Sequence, residues 1–387
     1  MPRALFMSYF SAFGVKPAIF SNEKMENKHI TAVMGGRQRC SNLELYRIVV
    51  MLLIVAHHYV VNSGVWDVME VEPMSGKSLY LYILGMWGKT GINCFVLITG
   101  YFMCKSQITI RKFLKLLLEV LFYNLVIWAI FIGTGYEEFT VKAMVKAFMP
   151  VVSIADGFTS CFIIFYLFIP FLNILVKNMS RQQHKHLALL LLFVYTLLGS
   201  VPKFHVEFNY VTWFVILFII SSYIRLYGLF PRINNRQWGY FSLLMILLAT
   251  GSMVAFLYLH TSYGIKLMPY RLVADSNKIF AVVAAVCTFM YFKDLPIKQS
   301  RLINTISAST FGVLCIHANS DTMRQWLWKD IVDCIGQYGS THLMLLSLAS
   351  ILLIFLICIL IDYIRIHSIE KWTFSYIDKL LVKYGLQ

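Results

Sequence analysis

Ten apolar runs, each long enough or nearly so to cross about 30 Å of hydrocarbon, leave this chain little choice of fold. They cover residues 43–61, 79–103, 113–132, 158–176, 187–201, 210–226, 239–259, 278–292, 302–317 and 343–364, and the fifth, eighth and ninth are short. Backbone polar groups in hydrocarbon find partners only within a helix or a closed barrel, and runs of this length predict helices. The expectation is an all-α, polytopic integral membrane protein with about ten transmembrane helices. Composition agrees: 59% of the residues are hydrophobic and 14% charged, where soluble domains carry about 25% charged residues. In a soluble protein the net charge of +15 would suggest nucleic acid. Here the basic residues sit in short connections between apolar runs, which removes nucleic acid from the partners and leaves membrane lipid.

Those connections orient the chain. Lys105, Arg111, Lys112 and Lys115 follow the second run; Lys177, Arg181 and Lys185 the fourth; Arg225, Arg232 and Arg236 the sixth; Lys293, Lys298 and Arg301 the eighth. Arg365, Lys371, Lys379 and Lys383 follow the tenth. The intervening loops hold Asp67, Glu70, Glu72, Glu137, Glu138 and Asp156. Cytoplasmic loops retain Lys and Arg, so both termini are expected in the cytoplasm of a multi-pass protein of the cell membrane. Residues 1–40 read either as a disordered cytoplasmic leader, because Gly14 and Pro17 break the first apolar stretch, or as a misassigned start, because Met25 and Met34 offer later ones. Residues 41–365 form the membrane domain, and 366–387 a basic, aromatic cytoplasmic tail suited to the membrane surface. Eight cysteines without a CxxC spacing read as small core residues rather than metal ligands or a disulfide framework, and no metal is expected.

The first run, SNLELYRIVVMLLIVAHHYVVNSG, carries an arginine and two histidines where hydrocarbon should be. Ionisable groups there are costly and usually face a polar cavity or a substrate path. At about 100° per residue the eleven-residue step from Arg47 to His58 closes three turns plus about 20°, so the two share a face about 16 Å apart along the axis. His57 points about 80° away from Arg47 and reads as structural. Glu44, three residues before Arg47, is placed to pair with it, and Asn62, four residues after His58, to hold the His58 ring.

These residues also carry a resemblance. Glu44, Arg47 and His58 resemble the opening signature, E-x-x-R-x10-H, of the membrane acyltransferase-3 family, whose members O-acylate cell-surface sugars. In order along the chain, GINCFVLITGYFM (with Asn93), the basic cluster at Arg111, Lys112 and Lys115, FYLFIPFLN, and STFGVLCIHAN (with His317) are similar to later family segments. Asn93, Lys112, Lys115 and Cys315 depart from the usual aspartate, arginines and tyrosine. A lysine keeps the charge but not the planar fork that grips phosphate in two places. The resemblance implies acyl transfer, with acetyl as the acyl group, from acetyl-CoA or another acyl-CoA as co-substrate to a hydroxyl of a surface polysaccharide or its lipid-linked precursor. No tightly bound cofactor is implied. It further implies His58 and Arg47 as catalytic residues, Arg111, Lys112 and Lys115 as the donor site, and Glu44, Asn93 and His317 as supporting or acceptor-site residues, to which the helical spacing adds Asn62.

The residues make that chemistry intelligible. A sugar hydroxyl must lose a proton during acyl transfer, and imidazole is the side chain whose pKa suits that task near neutrality, which nominates His58. Arg47 either binds a donor phosphate or serves as a counter-charge to Glu44. His205, His260 and His317 are expected at the depth of His58, the first two as interfacial residues. Glu119 is expected to pair with Lys115, four residues earlier. The rival from another class is a transporter or flippase for a glycan, which would show Gly/Pro-interrupted spans in two repeated halves; the sequence has no such symmetry.

Overall fold

Apolar runs become helices here because the hydrocarbon offers no other partner for their amides, and in a computed structural model every regular element among the described residues is helical. The structure describes residues 40–151, 157–202, 204, 206–265 and 267–384; the leader and His205 lie outside them. The chain is an all-α polytopic membrane protein in which seven described helices have the length and composition to cross a membrane.

Helix α1 (Ser41–Val61) begins at Cys40, runs unbroken to its cap at Asn62, and buries Leu43, Tyr46, Val50, Ile54 and Tyr59. After the short α2 (Val65–Val71), the second apolar run is split into α3 (Gly76–Gly85) and α4 (Gly88–Met103). The break follows from packing against α1: a Cβ at Gly88 would lie 2.1 Å from Cγ of His57, and one at Gly85 2.7 Å from Cβ of Val60. Only glycine lets the two backbones come this close.

Then follow α5 (Ile110–Gly133), the short α6 (Val141–Phe148) and α7 (Phe158–Asn178). Pro170 is tolerated inside α7, and Asn173 on that helix donates to the Met103 and Ser106 carbonyls (3.1 and 3.2 Å), tying down the end of α4. The fifth run forms α8 (Arg181–Leu191), continued by a π-helical stretch at Leu192–Leu198. Helices α9 (Tyr210–Tyr227) and α10 (Asn235–Tyr263) are span-length, whereas α11 (Ile279–Lys293) has 15 residues. The ninth run is broken at Ser309 into α12 (Arg301–Ala308) and α13 (Thr310–His317). Beyond α14 (Asp321–Arg324) and α15 (Cys334–Gly339) stands α16 (Leu343–Arg365).

The expected boundary at Arg365 is not a break. A π-helical segment, Ile366–Glu370, carries α16 into α17 (Lys371–Lys383). Contacts pair Tyr123 with Asp362, Glu119 with Arg365, Lys115 with Glu370, and Arg111 with Asp378. As the α5 number falls the partner's rises, so the tail runs antiparallel along α5 and is held to it by ion pairs. At the centre of the bundle α4 packs against α1, α9 and α11, and α1 against α12, α13 and α16. That places the end of α1 beside the end of α13.

Candidate active site

His58 and His317 meet where α1 and α13 end. Their rings, 259 residues apart in sequence, lie with His58 Nδ1 2.9 Å from His317 Nε2. His317 is fully buried, and its Nδ1 lies 2.6 Å from the Val313 carbonyl oxygen. With both rings neutral, as a base at rest requires, this geometry assigns their tautomers. A carbonyl only accepts, so His317 carries its proton on Nδ1 and offers the Nε2 lone pair. His58 must then donate from Nδ1. Its Nε2 is left with a free lone pair, in a side chain that lines a cavity of about 420 Å³. A carbonyl, an orienting imidazole and a second imidazole with one bare nitrogen form the arrangement of an oriented general base.

The ring partner of His58 is therefore not Asn62. Asn62 meets His58 through the backbone alone, its N–H donating to the His58 carbonyl at 3.1 Å as the helix cap. His57 is also corrected in part: it lines the same cavity rather than turning away from it. Its Nδ1 is held 2.6 Å from the Gly85 carbonyl oxygen and its ring lies against the Gly88 backbone, which supports the expected structural role. His260 bonds its own helix end, with Nδ1 3.2 Å from the Ile265 carbonyl oxygen, and lies outside the cavity.

Arg47 is not brought to His58. It lies low on α1, 3.4 Å from Glu44 Oε2, with its guanidinium 5.9 Å from the centre of the Phe102 ring. Glu44 is buried and also accepts from Ser307. Asn93 is fully buried and satisfied on both sides: it donates to the Ser276 carbonyl (2.7 Å) and accepts from Trp213 Nε1 (2.8 Å). It locks α4 to α9 and to the chain ahead of α11, outside the cavity.

The three expected donor-site cations gather at the start of α5, each with partners. Arg111 forks onto Asp378 (2.7 and 3.2 Å), Lys112 donates to Ser106 and the Gln107 carbonyl, and Lys115 pairs with Glu370. Lys115 borders a separate apolar groove of about 190 Å³ walled by Leu118, Phe122 and Phe374. The expected Glu119–Lys115 pair is replaced by a longer-range one. Arg365, nearly buried, binds Glu119 (3.0 Å), Asp362 (2.8 Å) and Glu370 (2.9 Å) at once, and Asp362 accepts from Tyr123 at 2.7 Å. A Cβ at Gly312 on α13 would lie 2.2 Å from Asp362 Oδ1. The carboxylate thus abuts the helix that presents His317.

Local spacing did not mark Lys89, Lys146 and Arg324, which also line the His58 cavity. Lys89 stands inside the apolar run 79–103, and a lysine there was itself a flag.

Fold and site together define an integral membrane protein in which helix α1 presents an oriented imidazole to a cavity. The family model described as an acyltransferase domain matches residues 41–364, and the chain belongs to that family of acyltransferases. No curated protein and no solved structure matches it.

Proposed function

We propose that this protein is an O-acyltransferase that moves an acyl group, acetyl in the first instance, from acyl-CoA to a hydroxyl of a cell-surface polysaccharide or its lipid-linked precursor. The observation that carries the proposal is the chain from the Val313 carbonyl through His317 to His58, which leaves one basic nitrogen at the cavity. His58 Nε2 takes the proton of the acceptor hydroxyl as its oxygen attacks the thioester carbonyl. The tetrahedral intermediate collapses, the C–S bond breaks, and the imidazolium returns the proton to the departing thiolate. His317 holds the ring and its tautomer.

Arg47 serves the donor in this scheme. The chain between the thioester sulfur and the nearest phosphate of a coenzyme A spans about 15 Å when extended, at the reach of about 3.3–3.6 Å per three backbone bonds. Arg47 and His58 stand about 16 Å apart on α1. Arg111, Lys112 and Lys115 supply the positive surface over which the donor arrives. The chain crosses the membrane of the cell ten times with both termini in the cytoplasm, the shorter helices α8, α11 and α12–α13 completing the count. Cysteine-accessibility labelling on a background lacking native cysteines tests this topology. Outside labelling near Arg232, or protection near Glu70, contradicts it. The activity is tested by incubating membranes with labelled acetyl-CoA: label in glycan supports the enzyme, and glycan movement without label supports a transporter instead.

A further inference from the structure

Among the described residues, the charged side chains lining the His58 cavity are Lys89, Lys146, Arg324 and Asp321, three cations against one carboxylate. Arg324 is split in its loyalties: one terminal nitrogen binds Asp321 at 2.8 Å. Its Nε is buried, and among the described residues it finds no hydrogen-bond acceptor. Lys89 donates to the Tyr210 hydroxyl at 2.6 Å, a neutral partner, and has no ion-pair partner among the described residues. Lys146 has no ion-pair partner among the described residues. A buried donor without a partner is destabilising, and an arginine fork of this kind is suited to carboxylate and phosphate oxygens.

These cations are not explained by orientation. In the proposed topology they belong to the outer half of the protein, where loops need no Lys or Arg. Nor do they suit the phosphates of the donor. With its thioester at His58, those phosphates lie about 15 Å away along an extended arm, toward Arg47 rather than beside the reacting atoms. The cavity, about 420 Å³, falls near the low end of small-molecule sites, about 300–1,000 Å³, and suits a sugar residue more than a nucleotide.

We infer that the acceptor is anionic, with a carboxylate or a phosphate close to the hydroxyl that is acylated, and that Arg324, Lys146 and Lys89 hold this group beside His58. The inference rests on the acyltransferase function proposed above and names its acceptor class.

The test locates the acyl group by mass spectrometry of glycan from cells with and without the full chain. It then compares wild type with Arg324→Gln and Lys146→Gln at matched membrane abundance. Acyl groups should sit on a sugar bearing a carboxylate or phosphate. Carbodiimide-mediated carboxyl reduction of the isolated glycan should destroy its acceptor activity if the group is a uronate, and hydrofluoric acid dephosphorylation should do so if it is a phosphate. Each variant should raise the acceptor KM about tenfold or more, the usual loss for a hydrogen bond to a charged group, with the KM for acetyl-CoA unchanged. Acyl groups confined to neutral sugars overturn the inference. So does a variant that raises the KM for acetyl-CoA but not for acetyl-pantetheine, which lacks the nucleotide phosphates, because the cations would then serve the donor. Glycan without any acyl difference overturns the transferase function itself, and the inference with it.

Discussion

Replacing His317 with leucine should weaken acyl transfer by removing what holds His58, while leaving the base in place. In the wild type one hydrogen bond at 2.9 Å fixes the His58 proton on Nδ1. A typical hydrogen bond contributes about 0.5–1.5 kcal/mol net, and immobilising a side chain costs about 0.5–1.5 kcal/mol. Together these come to about 1–3 kcal/mol, or roughly 5- to 150-fold in rate at about 1.4 kcal/mol per decade. Nearly all of that range lies below the loss of about 10² to 10⁴ expected when a general base is deleted. His317→Gln should recover much of the difference, because its amide oxygen can accept from His58 Nδ1 where leucine offers nothing. The assay is the initial rate of label transfer from acetyl-CoA at saturating donor, with each variant at matched abundance and its thermal unfolding in detergent measured alongside. Wild-type rates for His317→Leu, or equal impairment of the leucine and glutamine variants in folded protein, would refute the positioning role.

Two further outcomes follow from the α5 and α16 contacts. Lys112→Gln with Lys115→Gln should raise the donor KM and leave acceptor dependence nearly unchanged, since a lost phosphate contact removes binding present in ground and transition states alike; unchanged insertion, orientation and donor KM would remove the cluster from both roles. Arg365→Met should destabilise the protein by about 3–5 kcal/mol, because it strands buried carboxylates around a side chain only 6% exposed. Arg111→Gln should cost about 0–1 kcal/mol, its ion pair being half exposed. Unfolding in detergent compares the two, and equal losses would contradict the assignment.

What could be read in the sequence and what could not divide along the distance of the contacts. The seven span-length helices were legible because the bilayer imposes one length and one polarity on each, and α1 was legible because helical geometry fixes which residues share a face. The breaks at Met86–Trp87 and Ser309 were not, since they arise from where α4 meets His57 and where α13 meets α16. The same limit accounts for the partners. Rules of three and four residues pointed His58 to Asn62 and Glu119 to Lys115, whereas the fold supplies His317 and Arg365 from far along the chain. His317 was within reach only through family resemblance. Asn93 entered the expected site through the family resemblance, yet its two hydrogen bonds are spent tying α4 to α9 and to the chain ahead of α11.

The central claim is that His58, and not its neighbour, supplies the base. Both imidazoles line the cavity, so geometry alone makes the comparison a stringent one. Glycan acetylation by His58→Ala and His57→Ala at matched membrane abundance measures it. The account predicts a fall of about 10² to 10⁴ for His58→Ala with most activity kept by His57→Ala. Near-normal acetylation by His58→Ala, or a loss as large for His57→Ala, would contradict it.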